Sequence, residues 1–232
     1  WIWLHSCKWR AGNSRKRSRI SRSIISTTNQ ISTTLMKKVG LFFGSFNPIH
    51  VGHLVIANHI AHSGMVDEVW FVVSPQNPFK KKKSLLEEYH RLALVNEAID
   101  ENPKLKSSDI EFTMPQPSYT ADTLAFLIDK YPELDFSLIM GEDNIKSFHK
   151  WKNYEVILKN HSVLVYPRVG VDEDLKAKSD ILNHKSVHVL ENIPVMDISA
   201  SYIRNQIKEG KTVAYLLTDK VAKYLDEMNF YK

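Results

Sequence analysis

The stretch "KKVGLFFGSFNPIHVGHLVIANHI", residues 37–60, decides the fold. Residues 38–43 (KVGLFF) make an apolar run with the length of a buried strand, and a helical pattern resumes over 51–63 with Leu54, Val55, Ile56 and Ile60. The link between them holds Gly44-Ser45, Asn47-Pro48 and two histidines, His50 and His53, three positions apart. A plain strand-to-helix turn needs only a turn residue and a cap. This one carries further polar chemistry.

Outward from that stretch, strand and helix patterns alternate. Residues 68–74 (EVWFVVS) read as a strand, followed by a lysine-rich loop, "PQNPFKKKKS", and an amphipathic helix over 85–100. A strand near 109–113, a helix at 120–131 and a strand at 135–140 come next. Then follow a helix near 151–159, a strand at 162–166, a helix around 172–182, a strand at 186–190, and helices near 199–209 and 218–228. Such alternation predicts an α/β fold: a Rossmann-like, doubly wound, mostly parallel sheet with helices on both faces. Parallel neighbours require right-handed crossovers. Ligands of such sheets bind beyond the carboxyl ends of the strands, where the opening stretch lies. Gly44 permits close backbone approach, and Ser45 and the first helical amides offer donors to an anion. His50 and His53, at i and i+3 on the first helical turn, face one phosphate-sized space. Two histidines alone fall short of the three protein ligands of a catalytic zinc, so no protein metal site is expected.

Composition bounds the alternatives. With 43% hydrophobic and 25% charged residues among 232, the chain reads as one ordinary soluble domain with an appendage. No apolar run approaches the roughly 20 residues that span a bilayer. Cys7 is the single cysteine, which excludes an internal disulfide framework and a cysteine-rich zinc site. The net charge of +5 belongs to residues 1–35, which hold seven Lys and Arg and no acidic residue. The remainder balances 24 basic against 26 acidic residues, so the charge argues for no nucleic-acid surface on the domain. Residues 1–35 are Ser- and Arg-rich and read as a disordered extension, a targeting segment or sequence upstream of the true start. The domain is expected to occupy 36–232.

Several motifs carry a resemblance. Gly44-Ser45-Phe46-Asn47-Pro48-Ile49-His50-Val51-Gly52-His53 resembles the nucleotidylyltransferase signature Gly-Gly-x-Phe-x-Pro-x-His-x-Gly-His, with Phe43 where the first glycine stands. "PSYTADTL" (117–124) resembles the Ser-Tyr-Thr-x-Asp-Thr segment of bacterial nicotinate-nucleotide adenylyltransferases. "IMGEDNIKSFHKW" (139–151) resembles that family's Gly-x-Asp with its following Trp, and "DISASYIRNQI" (197–207) its Ile-Ser-x-x-x-Ile-Arg. "PFK" (78–80) stands where the family has Pro-His-Lys, and "YPRVG" (166–170) where relatives carry Arg-Pro-Gly. Taken singly, each has a bland reading: Thr120, Asp122 and Ser199 as helix caps, Trp151 as core, Arg204 and the lysine run as solvated charge. Together, in one order, they favour the enzyme.

The resemblance implies adenylyl transfer from ATP to nicotinate mononucleotide, giving deamido-NAD and pyrophosphate in NAD biosynthesis. It assigns catalysis to His50, His53 and Arg204, and ATP contacts also to Gly44, Ser45, Phe46, Gly141, Asp143, Ile198 and Ser199. Asn47, Lys80, Ser118, Tyr119, Thr120 and Trp151 would hold the mononucleotide. Mg²⁺ would bridge ATP phosphates with few or no protein ligands. The implied partners are ATP and nicotinate mononucleotide, with no nucleic acid or membrane, and the implied location is the cytoplasm. The alternatives are an adenylyltransferase of the same fold for nicotinamide mononucleotide or phosphopantetheine, and a nonenzymatic nucleotide-binding regulator.

Overall fold

The computed structural model describes residues 36–75, 85–168 and 180–232. Among these residues six strands form, β1 (Lys37–Gly44), β2 (Glu68–Val73), β3 (Leu105–Ser108), β4 (Leu134–Gly141), β5 (Val163–Tyr166) and β6 (Val187–Val189). All pair in parallel, in the order β3-β2-β1-β4-β5-β6. The order reverses between β1 and β4, which makes their carboxyl ends the switch point where such sheets bind ligands. Strand β2 is buried at all six positions, as a strand covered on both faces must be.

The helices among the described residues are α1 (Val51–Ala61), α2 (Glu88–Ile99), α3 (Thr120–Lys130), α4 (Glu142–Phe148), α5 (Tyr154–Asn160), α6 (Ala200–Lys208) and α7 (Asp219–Glu227). Alternate strand residues divide between two apolar clusters. Phe42, Val69, Phe71 and Leu164 pack with Ile60 of α1, Leu94 of α2, Ile203 of α6 and Leu225 of α7. Leu41, Val72, Phe136 and Val165 pack with Leu124 of α3, Phe148 of α4 and Ile157 of α5. The sheet is therefore wound on both faces, as the alternation predicts. Phe71 is fully buried, and truncating such a ring to alanine costs about 3–5 kcal/mol. Ser199 and Thr218 cap α6 and α7 by accepting from the Tyr202 and Val221 backbone N–H groups, each cap contributing about 1 kcal/mol.

Three expectations change. The strand expected near 109–113 is a 3-10 turn, Ile110–Thr113, and the neighbouring strand is Leu105–Ser108. Ile110 and Phe112 alternate with polar residues as a strand would, yet it is the polar "LKSS" that pairs with β2 as an edge. Helix α4 occupies residues read only as a motif, and α5 begins at Tyr154, three residues after the expected start near 151. Of the helix expected around 172–182, residues 172–179 lie outside the described residues, and 180–182 form a turn.

Candidate active site

Strand β1 delivers Gly44 to the switch point, and the chain must turn at once to enter α1. Phe46 makes that turn in the left-handed region, at φ 43°, and its ring folds back into the core. The ring fills the place of a Gly44 side chain, since a Cβ there would lie 2.7 Å from Phe46 Cζ. Gly44 thus serves the packing of Phe46, a requirement nearer than the ligand approach read from sequence. Phe43 keeps strand pairing with Val72, so the departure from the signature's first glycine leaves the backbone extended.

Asn47 is buried, and three distant segments meet on it. Its side-chain oxygen accepts from the Leu86 backbone N–H at 3.2 Å and from the Tyr231 hydroxyl. Its backbone carbonyl accepts from Arg204 Nη1 at 2.7 Å, while Arg204 Nη2 donates to Ser201 Oγ at 3.1 Å. Arg204 is thereby aimed from α6 across the loop that precedes α1.

His50 is the N-cap of α1 and His53 its third residue. The rings stack with centroids 3.7 Å apart and planes inclined by 23°. His53 Nδ1 accepts the His50 backbone N–H at 3.4 Å, so a neutral His53 carries its proton on Nε2. His50 Nδ1 is buried with no hydrogen-bond partner among the described residues. Burial, and then the charge of Arg168, lower the His50 pKa from 6.5 to about 4. Gly52 leaves room for that ring, because a Cβ there would stand 3.1 Å from His50 Nδ1.

Across the switch point, β4 ends at Gly141, the N-cap of α4, and Asp143 lies in the helix's first turn. Arg168 Nη1 donates to Asp143 Oδ2 at 3.4 Å. Gly44, Ser45, His50, His53, Asp143 and Arg204, with Phe46, Asn47, Arg168, Ile198 and Ser199, line one cleft of about 760 Å³. Among its described lining residues Asp143 is the only acid. No group of three or more His, Cys, Asp or Glu among the described residues could hold a metal ion.

Residues 41–206 match the family described as Cytidylyltransferase-like. A Flavobacterium psychrophilum protein named "Probable nicotinate-nucleotide adenylyltransferase" is 55% identical over 195 residues, 84% of this chain and 99% of that protein. A Flavobacterium johnsoniae protein of the same name is 54% identical over 196 residues, covering 84% and 99%. The chain belongs to the nicotinate-nucleotide adenylyltransferase family. The fold is shared with the Plasmodium falciparum nicotinic acid mononucleotide adenylyltransferase complexed with NaAD, at TM-score 0.68 and 19% identity, covering 84% of this chain and 97% of that one.

The family's other motif residues lie outside this cleft lining. Tyr119 is the N-cap of α3, Thr120 the helix's first residue, and Ser118 immediately precedes them. Trp151 is half-buried and packs edge-on against Phe148, with centroids 5.2 Å apart. Lys152 draws these two segments together, donating to Asp122 Oδ2 at 2.8 Å and resting 4.9 Å from the Tyr119 ring centroid. Below them, buried Glu111 accepts from Thr123 Oγ at 2.8 Å and steadies the first turn of α3. Lys80 lies outside the described residues.

Sequence reasoning missed Arg91, which is fully buried on α2. Its guanidinium donates to the carbonyls of Leu86 (2.9 Å), Ser45 (2.7 Å), Ser74 (2.8 Å) and Pro75 (3.0 Å). One side chain ties the turn after β1 to the segment after β2. The available signal was its place on the apolar stripe of α2, three and four residues before Leu94 and Val95.

Proposed function

We propose that this chain transfers the adenylyl group of ATP to nicotinate mononucleotide, releasing pyrophosphate and forming deamido-NAD. The observation that carries this reading is the stacked His50–His53 pair at the start of α1, facing the same cleft as Arg204. A phosphate oxygen of the mononucleotide attacks the α-phosphorus of ATP, a new P–O bond forms, and the bond from the α-phosphorus to the bridging oxygen breaks as pyrophosphate leaves. The substrate supplies the nucleophile, so the protein's task is positioning and stabilising charge on oxygen.

His50 is neutral near pH 7, because its pKa is about 4 in the free protein. It therefore serves as an N–H donor that begins uncharged, and an arriving triphosphate raises its proton affinity. His53, with Nδ1 accepting a backbone N–H, turns an Nε2 donor to the same phosphates. Arg204 spends two N–H groups on Asn47 and Ser201 and keeps the rest of its fork for the departing phosphates. Ser199, already the α6 cap, sets the helix N-terminus beside them. A cleft with a single carboxylate among its described lining residues fits a Mg²⁺ held chiefly by phosphate oxygens rather than by a protein cage. When bound, that ion neutralises phosphate charge.

Gly141 and Asp143 take the ribose side of ATP, with Gly44, Ser45 and Phe46 shaping the phosphate turn and Ile198 the wall beside Gly52. Ser118, Tyr119 and Thr120 present the start of α3 to the pyridine carboxylate, Trp151 stacks on the ring, and Lys80 and Asn47 complete the mononucleotide side. A helix N-terminus favours the anion over the neutral carboxamide. The proposed location of the reaction is the cytoplasm. The test is mass-spectrometric identification of products from ATP mixed in turn with nicotinate mononucleotide, nicotinamide mononucleotide and phosphopantetheine. Deamido-NAD is the expected main product. Equal or greater efficiency with either competitor overturns the substrate assignment, and no adenylylated product with any of them overturns the activity.

A further inference from the structure

Arg168 stands where the sequence departs from the family's Arg-Pro-Gly, since Tyr166 occupies the arginine position and the guanidinium comes two residues later. The parallel register explains where that displaced arginine goes. Gly141 of β4 pairs with Tyr166 of β5, and Asp143 and Arg168 each lie two residues beyond that pair. The two side chains consequently meet over the end of the sheet. Gly141 is what lets them meet there, because a Cβ would stand 2.5 Å from Asp143 Oδ1, 3.1 Å from Arg168 Cδ and 3.2 Å from Tyr166 Cζ.

The contact is a loose one. It consists of one N–H···O approach of 3.4 Å between side chains that are 41% and 48% exposed. A bidentate Arg–carboxylate pair is shorter and uses both oxygens. An exposed, monodentate pair of this length is cheap to exchange for another partner. Arg168 also lines one cleft with His50 and His53, and its charge helps lower the His50 pKa. A cation that touches Asp143 and shares the cleft with the histidines is within the space that the ATP reading assigns to ribose and phosphates. Two arginines, Arg168 and Arg204, line the cleft against the one carboxylate among its described residues, an excess of positive charge suited to a polyphosphate.

We propose that Arg168 is a nucleotide clamp: it occupies Asp143 in the free protein, yields that carboxylate to the ribose hydroxyls of ATP, and turns its guanidinium to the triphosphate. The exchange rests on the ATP-dependent reading above and adds a second phosphate-binding arginine, contributed by the end of β5. In it the Asp143 carboxylate trades one guanidinium N–H for hydroxyl donors, and the guanidinium trades a carboxylate for phosphate oxygens. Each group thus keeps a hydrogen-bonding partner through the exchange.

The clamp predicts opposite effects on two parts of one ligand. Calorimetric titrations of wild type, Arg168→Ala and Arg168→Lys with adenosine, ATP and inorganic tripolyphosphate separate them. Arg168→Ala is expected to weaken ATP and tripolyphosphate by roughly tenfold to a hundredfold, the range for losing a hydrogen bond between charged groups. Adenosine is expected to bind the same variant at least as tightly as wild type, since Asp143 is then already free. Arg168→Lys should fall between, keeping charge without the fork. If adenosine and ATP weaken by the same factor, Arg168 acts only by holding Asp143 and the clamp is overturned. Unchanged ATP binding in Arg168→Ala overturns it as well. A wild-type protein that binds no ATP would instead sink the adenylyl-transfer reading, and the clamp with it.

Discussion

Replacing Arg91 with methionine removes a guanidinium that reaches four carbonyls and leaves a side chain of similar length in its place. The carbonyls of Ser45, Ser74, Pro75 and Leu86 each lose a donor at 2.7–3.0 Å. An unsatisfied buried polar group costs about 1–3 kcal/mol. These four residues are only half-buried, so water replaces part of the loss and the low end applies, near 4 kcal/mol in all. Relief from burying a cation works the other way, because burial lowers the proton affinity of Arg91. The expected net loss is therefore about 2–4 kcal/mol, which a domain of ordinary stability survives. Urea unfolding at pH 7 measures it as a lower midpoint at unchanged slope. Catalytic efficiency should fall further than stability explains, since the Ser45 turn loses its anchor to the segment after β2. Arg91→Lys should behave almost as badly, because one ammonium cannot span the four carbonyls. A methionine variant within about 1 kcal/mol of wild type, with normal turnover, would refute the reasoning.

Four further outcomes are expected. His50→Ala and His53→Ala each lower kcat by something like 10²–10³, as lost transition-state donors do, and steady-state kinetics on folded variants checks it. Acidification should destabilise the fold between pH 6.5 and about 4, where unfolded His50 takes a proton that folded His50 refuses. That loss is about 3 kcal/mol at most, Glu68 (its pKa lowered in the fold) adds to it in the same direction, and His50→Gln should flatten the urea-midpoint profile. Gly141→Ala should push Asp143 aside and cut kcat/KM for ATP by roughly tenfold to a hundredfold with little change in Tm, readable from paired kinetics and melting curves. A chain beginning at Met36 should fold and turn over like the full chain, and a tenfold loss of kcat/KM (about 1.4 kcal/mol) would place residues 1–35 in the site.

Elements with strong apolar runs were legible. The strand patterns "EVWFVV" and "DFSLIM" follow from burial on both faces, and the stretch around Gly44 follows from its position at a strand end. Leu105–Ser108 was not legible, because an edge strand needs little apolar surface and its neighbour Ile110–Thr113 mimics strand alternation. The histidine pair was visible as a spacing of three, whereas the neutrality of His50 depends on burial and on an arginine 118 positions away in the chain. Asn47 reads as a ligand-binding motif residue, yet its side-chain oxygen accepts from Leu86 and Tyr231, contacts that only the fold brings together. Arg91 and Arg168 share that character. Each is an ordinary cation in sequence and acquires its task from register or helix face.

The junction at Asn47 also bears on when the protein becomes competent. Arg204 and Tyr231 reach it across 157 and 184 residues of sequence. A nascent chain that has emerged only through α5 can pair β1, β2, β3 and β4, yet it holds neither the arginine of α6 nor the tyrosine that fixes the loop. With synthesis running at about 5–20 residues per second, roughly 10–40 seconds separate the first strand from the last of these contacts. The cleft is thus completed late, after most of the sheet has a chance to form. A ribosome-bound intermediate of that length holds the stacked histidines before Arg204 and Tyr231 are there to fix the loop that carries them.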